Sequence, residues 1–149
     1  MSNELKLQKT EKAAVNIGVV EMAQIDVLVE NMLYTNRSDF IRTAIRKALE
    51  YHQDYIHDLL RRDRETRNEE RVETIGGIGV IRLSVNDLLR LRSQGKKASI
   101  MVVGVLVVER AMDADLFTSQ IVSIKVYGKI HAPKQLGRIF AEKAVNYDA

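Results

Sequence analysis

The spacing of apolar residues in the first third of the chain changes from every second position to every third or fourth. Across residues 12–17, one set of alternating side chains is apolar (Ala13, Val15, Ile17) and the other is more polar (Lys12, Ala14, Asn16). A period of two predicts a half-buried strand. So short a strand must pair with another, and no second strand follows nearby, so we expect it to pair with its own copy in a second chain.

Two helices are predicted next. Gly18 breaks the strand, and apolar residues then recur with helical spacing in a helix that should end near Asn31 (Met22, Ile25, Val29, Met32). Asn36 is a good amino-terminal cap for a second helix, and Asp39 is placed to answer it as in a capping box. The buried face of this second helix is predicted to contain Phe40, Ile41, Ala44, Ile45, Ala48 and Leu49.

A strand, a helix and the turn Tyr-Thr-Asn-Arg-Ser-Asp-Phe-Ile-Arg into a second helix resemble the ribbon-helix-helix DNA-binding family of MetJ, Arc and CopG type, over residues 12–52. The resemblance implies an intertwined dimer whose two strands form an antiparallel ribbon in the major groove. By position, the base-contacting residues would be Lys12, Ala14 and Asn16. The amides around Asn36, Arg37 and Ser38 would bind a phosphate.

These residues also have simpler interpretations. Lys12 could be an ordinary solvated lysine, Ala14 offers only a methyl group, and Asn36 would be needed as a cap in any helical protein. Asn16 is the strongest candidate, because an outward asparagine can bind adenine through two hydrogen bonds. Met32 stands where many relatives have glycine, so it must either adopt a left-handed conformation or let the loop take another path.

The middle of the chain is dense in charges of both signs and contains neither proline nor glycine between residues 50 and 73. This pattern predicts a solvated helix supported by pairs such as Arg61 with Glu65. We therefore expect three parts: a DNA-binding domain at residues 1–58, a helical connector at 59–73 and a second domain at 74–149.

The second half contains three similar segments, each with a Ser/Thr-Ile pair followed by a glycine. The glycines are Gly79, Gly104 and Gly128, which are 25 and 24 residues apart. Helix-like segments beginning at Ser84, Asp113 and Pro133 lie between or after them. The pattern predicts a small α/β domain of about three strand-helix repeats with parallel strands, and hence an α+β protein overall. A small α/β domain without repeat symmetry is the alternative.

Charge and composition narrow the functional classes. The net charge is −2 over residues 1–58, zero over 59–73 and +5 over 74–149, so the expected DNA-binding segment is not basic. The basic second half could add phosphate contacts, or simply a solvated face, through Arg90, Arg92, Lys96 and Lys97. There is no cysteine, and the histidines His52 and His57 are poorly spaced for a metal, so no metal or cofactor is expected.

The sequence has no apolar stretch long enough to span a membrane and no secretory signal, so a cytoplasmic protein is expected. No residues gather into a catalytic set, and Gly76-Gly77-Ile78-Gly79 lacks the lysine of a phosphate-binding loop, so an enzyme is not expected. The favoured function is a sequence-specific transcriptional regulator that binds double-stranded DNA as a dimer or higher oligomer. The alternative is a DNA-organising scaffold or plasmid-partition protein that self-assembles through its second half. An antitoxin is disfavoured, because the patterned second half does not look like a disordered toxin-binding tail.

Overall fold

A computed structural model describes residues 10–68 and 71–146. The chain divides into two compact units between His52 and Gln53.

The first unit contains helices α1 (Val19–Glu30) and α2 (Arg37–Tyr51). The predicted cap of α2 is confirmed, because the Asn36 side chain accepts a hydrogen bond from the Asp39 amide at 2.9 Å. The reciprocal half of the capping box differs from the prediction. The Asp39 carboxylate accepts from the amide of Thr35 at 3.1 Å, one residue before the cap, and so it fastens the preceding loop to the helix.

Helix α1 ends as predicted, with Asn31 as its carboxyl-terminal cap. Met32 follows in a left-handed conformation, with φ of 59°. Its amide donates to Val29 O, and the Leu33 amide donates to Leu28 O, both at 3.0 Å, which is the Schellman arrangement that usually has glycine at this position. Met32 therefore takes the first of the two paths open to it. Its assignment to the apolar stripe of α1 was wrong, because the side chain is 92% exposed.

The first unit buries very little. Of residues 10–52, only Ile25 is buried. The prediction of a buried face on α2 is wrong for the single chain: α2 has no buried residue, and Ile45 and Leu49 are more than half exposed. Residues 10–18 belong to no helix or strand of this chain, so the strand expected at residues 13–17 stays a prediction.

The second unit contains a parallel sheet in the order β1-β2-β3-β4. Its strands are β1 (Val72–Leu83), β2 (Lys97–Val108), β3 (Ile121–His131) and the short β4 (Ala144–Asn146). The predicted parallel strands are confirmed, and the repeat aligns in space: Gly79 lies opposite Gly104, and Gly104 opposite Gly128. This alignment favours the repeat over the alternative without internal symmetry.

Backbone conformation and close strand packing explain why glycine occupies these aligned positions. All three have φ between +116° and +139°, which side chains with a Cβ rarely adopt. A Cβ on Gly104 would lie 2.2 Å from the carbonyl oxygen of Gly79, and one on Gly128 would lie 1.9 Å from that of Gly104. At this level β2 can approach β1, and β3 can approach β2, only because Gly104 and Gly128 have no Cβ.

Helices α4 (Val85–Ser93) and α5 (Ala114–Gln120) connect the three long strands. Both begin where the sequence predicts, at the caps Ser84 and Asp113, and Ser84 forms a complete capping box with Asp87. Hydrogen bonds from the Ser84 hydroxyl and amide lower the pKa of the Asp87 carboxyl. The core of the unit lies between sheet and helices and includes Leu88, Ile100, Leu106, Phe117 and Ile124.

The third predicted helix, from Pro133 to Ala144, is divided. A 3₁₀ turn covers Lys134–Leu136, α6 covers Gly137–Lys143, and Ala144 already belongs to β4. Leu136 and Phe140 pack into the core, and the Phe140 ring lies 5.3 Å from that of Phe117.

Helix α3 (Gln53–Asn68) occupies most of the segment interpreted as a solvated connector. It packs along β1, with Ile56 and Leu60 half-buried, and so it belongs to the sheet unit. Arg64 Nη2 donates to Gly76 O at 3.1 Å. The predicted ion pair of Arg61 with Glu65 is confirmed at 3.3 Å.

Candidate nucleic-acid interface

The three residues predicted to contact bases lie in the segment that precedes α1. Lys12, Ala14 and Asn16 are all exposed. The intervening Val15 is 74% exposed, whereas Ile17 is half-buried. Apart from Ile17, the apolar and the polar positions of this segment are therefore both exposed in the single chain.

The residues predicted to bind phosphate surround the amino terminus of α2. Asn36 is the cap, and Arg37 and Ser38 are the first two residues of the helix; all three are exposed. The first amides of a helix have no acceptor within it and carry the positive end of its dipole. The side chain of Asn36 is committed to the Asp39 amide, so a phosphate would be bound by backbone amides here.

The Arg37 side chain has a role that the sequence did not reveal. Its Nε and Nη2 donate to the two carboxylate oxygens of Asp26 at 2.6 and 2.7 Å, in a pair that joins the start of α2 to α1. The hydrogen bond from Arg37 lowers the pKa of Asp26. The guanidinium is still about half exposed, so the pair positions a positive charge beside the helix terminus without burying it.

Three further cations on α2 were not singled out from the sequence. Arg42, Arg46 and Lys47 are exposed along the helix that begins at the predicted phosphate site. The sequence placed them on one helix, and the structure adds that all three side chains are exposed in the single chain.

The cations of the sheet unit are less available for phosphate. Arg90 pairs with Glu73 at 3.0 Å, and Lys96 lies 3.9 Å from the same carboxylate. Arg92 and Lys97 are exposed. Arg90 and Lys96, two of the four cations considered for phosphate binding, therefore share the Glu73 carboxylate, a pairing that the sequence did not predict.

An open apolar hollow lies on the first unit. It has a volume of about 590 Å³ and is lined mainly by apolar side chains from α1 together with Phe40 of α2. The Phe40 ring packs edge-on against Tyr34, with the ring centres 5.0 Å apart. The hollow lies next to the only buried side chain of residues 10–52, Ile25, so the small core of this unit opens directly to solvent.

Residues 8–137 match the family model of the ribbon-helix-helix transcriptional regulators. The chain belongs to this family. No curated protein and no solved structure among those compared matches it. The ribbon-helix-helix match extends well past residue 52, so the second half, in which the sequence alone showed no family likeness, falls within the family model as far as the start of α6.

Among residues 10–68 and 71–146, no three potential metal-binding side chains come together. No helix in the described part of the chain has the length and hydrophobicity needed to cross a membrane.

Proposed function

We propose that this protein is a sequence-specific DNA-binding regulator that acts as a dimer, with residues 12–17 of two chains forming an antiparallel ribbon in the major groove. Membership of a family of transcriptional regulators supports the general role. The observation that carries the dimer is the exposure of the first unit, which buries a single side chain within residues 10–52.

So small a unit cannot be stable with one buried side chain. Its exposed apolar side chains include Val15, Val19, Val20, Val27, Ile45 and Leu49, each between 53% and 87% exposed. Burying a side chain of this kind contributes about 1.5–3 kcal/mol, so covering half of each would contribute on the order of 1 kcal/mol per residue. A second copy that covers this surface would supply several kcal/mol per chain.

DNA recognition would then divide between two sets of residues. Lys12 and Asn16 would donate hydrogen bonds to bases, and Ala14 would contact a thymine methyl group. The amides at Asn36, Arg37 and Ser38 would bind a backbone phosphate, with the Arg37 charge held close by Asp26. Few base contacts per chain imply modest specificity, to which binding by neighbouring dimers can add.

The test is a mobility-shift titration with DNA from upstream of the protein's own gene, with a scrambled DNA of equal length as competitor. We expect Asn16→Ala to weaken binding to the specific DNA by about 5- to 150-fold for each lost bidentate contact, corresponding to about 1–3 kcal/mol. Binding to the scrambled DNA should change little, because phosphate contacts remain.

Asn86→Ala is the matched control, since Asn86 is an exposed asparagine of the sheet unit. It should behave as the unsubstituted protein. An Asn16→Ala protein that keeps full preference for the specific DNA would remove Asn16 from the base-contacting set. Affinity that hardly changes with salt concentration would contradict phosphate binding altogether.

A DNA-organising scaffold is the second candidate, and the exposed edge strand β1, on which Ile78 and Val80 are about half exposed, favours it. The two functions differ in the length of DNA they protect. A regulator should give a nuclease footprint confined to its site, whereas a scaffold should extend the footprint as protein is added.

A further inference from the structure

Strand β1 is the edge strand of the sheet, and its backbone groups face β2 and the outside in turn. Just before the strand, Arg71 O accepts from the Lys97 amide at 3.1 Å, and at its end Leu83 O accepts from the Glu109 amide at 2.9 Å. Pairing with β2 runs without a shift from residue 72 to residue 83. Because successive residues alternate, odd-numbered residues bond toward β2 and the amides and carbonyls of even-numbered residues face outward.

The outward-facing groups on either side of the second half of β1 are already bonded. Gly76 O accepts from Arg64 Nη2 of α3 at 3.1 Å. The Ser84 amide, just beyond the strand, donates to the Asp87 carboxylate at 2.9 Å in the capping box of α4. Three outward-facing residues lie between these two positions: Ile78, Val80 and Arg82. Within the described chain, no strand pairs with their outer side and no other backbone hydrogen bond reaches them.

The side chains of this segment are accessible as well. Ile78 is 49% exposed, Val80 is 51% exposed, and Arg82 is exposed. They lie on the face of the sheet opposite the core, because the neighbouring Ile81 packs against the core and successive side chains alternate. An apolar edge of this kind is normally shielded in a stable protein, since its free amides and carbonyls can pair with another strand.

The free segment is complementary to itself. In an antiparallel pair, two residues exchange hydrogen bonds when the backbone groups of both face each other. If two copies of β1 are related by a two-fold axis at Val80, each Val80 lies opposite the other, and Ile78 of each copy lies opposite Arg82. All three outward-facing residues of each strand are then paired, and apolar side chains meet at the centre.

Other positions of the axis fit less well. Moving the axis toward the start of the strand brings Gly76 into the pairing, and its carbonyl is already bound to Arg64. Moving it toward the end brings in Ser84, whose amide is already bound in the capping box. An axis at Arg82 would also place like charges directly opposite one another, which destabilises a sheet. The axis at Val80 uses every free residue of the segment and neither of the committed ones.

We propose that the sheet units of two copies of this chain associate through their β1 edges, antiparallel and about a two-fold axis at Val80. The pairing joins the two sheets into one, and a two-fold contact of this kind is closed, because the same edge is used by both copies. The contact joins sheet units and does not require the proposed DNA-binding role of the first unit.

The first experiment places single cysteines in the full chain, which has none of its own. Residues that exchange hydrogen bonds in an antiparallel pair have Cα atoms about 5.5 Å apart, a distance that a disulfide spans. Val80→Cys should therefore form a disulfide-linked dimer on mild oxidation. A mixture of Ile78→Cys and Arg82→Cys proteins should link position 78 to position 82.

Two controls make the register testable. In the proposed register, two copies of position 78 are offset along the strands by about 13 Å, so Ile78→Cys alone should link about tenfold less than Val80→Cys. Leu89→Cys lies on α4, where Leu89 is 45% exposed, and should link no more than Ile78→Cys. Equal linking of Ile78→Cys and Val80→Cys would overturn the register. A Val80→Cys protein that links no faster than Leu89→Cys would overturn the contact.

The second experiment tests the contact through charge at the axis, using the link between positions 78 and 82 as the readout. When both proteins also carry Val80→Lys, the yield should fall about tenfold or more, because like charges then lie directly opposite one another. When one carries Val80→Lys and the other Val80→Glu, the yield should return. A variant that had merely failed to fold would not be rescued by mixing, and circular dichroism checks this directly.

An unchanged yield with Val80→Lys in both proteins would overturn the proposal, and so would the absence of rescue in the mixed pair. Neither experiment contains DNA. Failure of the β1 contact would therefore leave the proposed DNA-binding role standing, and that role is tested separately by the Asn16→Ala titration.

Discussion

The aligned glycines of the sheet allow the effect of alanine substitutions on the free energy of unfolding to be predicted. Gly79 and Gly104 share a left-handed backbone, so an alanine at either position carries similar conformational strain, about 1–3 kcal/mol. They differ in what the new methyl group meets. At Gly104 it would lie 2.2 Å from the backbone oxygen of Gly79, whereas at Gly79 it would meet nothing within 4 Å.

The difference between the two variants isolates the cost of strand separation. A backbone oxygen cannot move aside as a flexible side chain can, so β1 and β2 would have to shift apart. Forcing extra volume into a packed structure costs about 1–3 kcal/mol. Gly104→Ala should therefore lower the free energy of unfolding by about 2–6 kcal/mol and Gly79→Ala by about 1–3 kcal/mol.

The control is Gly137→Ala, at a position with helical backbone angles and no heavy atom within 4 Å of the new methyl group. It should be neutral or stabilise the protein by up to about 1 kcal/mol. For a domain of this size, 1 kcal/mol corresponds to about 4–8 °C in melting temperature, so Gly104→Ala should melt at least about 8 °C lower than wild type.

The assay is urea and thermal unfolding followed by circular dichroism, since the chain has no tryptophan. Dilute protein is used so that association between chains does not contribute to the difference in unfolding free energy. If Gly104→Ala were no more destabilising than Gly79→Ala, the close approach of the strands at the glycines would not be a determinant of the fold.

Two further predictions concern the first unit. Because Arg37 lowers the pKa of Asp26 below its ordinary value of 3.8, the pair stabilises the fold above that pH and the contribution is lost as the pH falls through the folded-state pKa. Asp26→Asn should therefore have a lower melting temperature than wild type at neutral pH, and the two melting temperatures should converge in acid. Glu30→Gln, which removes an exposed carboxylate from the same helix, is the control and should show no such convergence. A constant difference in melting temperature between Asp26→Asn and wild type at every pH would contradict the role of the pair. Ile45→Lys should weaken dimerisation, measured by sedimentation, by about 2–3 kcal/mol per dimer, because each dimer loses two half-covered side chains. Leu59→Lys, on α3, is the control and should dimerise as wild type does. An Ile45→Lys protein that dimerises as strongly as wild type would place the interface elsewhere.

Local signals in the sequence located most elements of the fold. The caps Asn36, Ser84 and Asp113 start helices as predicted because a cap acts through amides within the next turn. The glycine repeat predicted three parallel strands because a similar residue pattern buries a similar face in each unit. The division of the last predicted helix, between Pro133 and Ala144, was not visible, since β4 forms only where the chain returns to β3.

The sequence predicted which residues form the candidate site but not which side chains they pair with. Alternation predicted that Lys12, Ala14 and Asn16 lie on one side of a strand, and the family resemblance suggested what they contact. The pair between Asp26 and Arg37 could not be foreseen, because the residues are 11 apart and meet only when α1 and α2 fold together. Similarly, Glu73 on β1 pairs with Arg90 of α4 and with Lys96, which follows α4, only because these elements come together in the sheet unit.

The sequence alone determined the kinds of elements, the ends of most helices and the register of the repeat, because these follow from spacing and from hydrogen bonds between near neighbours. It could not determine which apolar faces are buried, since burial depends on what lies on the other side. Tertiary structure decided that α3 packs on the sheet, that α2 has no fully buried residue within one chain, and that nothing lies within 4 Å of the Cβ position at Gly79. The sequence shows where the apolar residues lie, and only the tertiary structure shows which of them remain exposed in a single chain and could contact another chain.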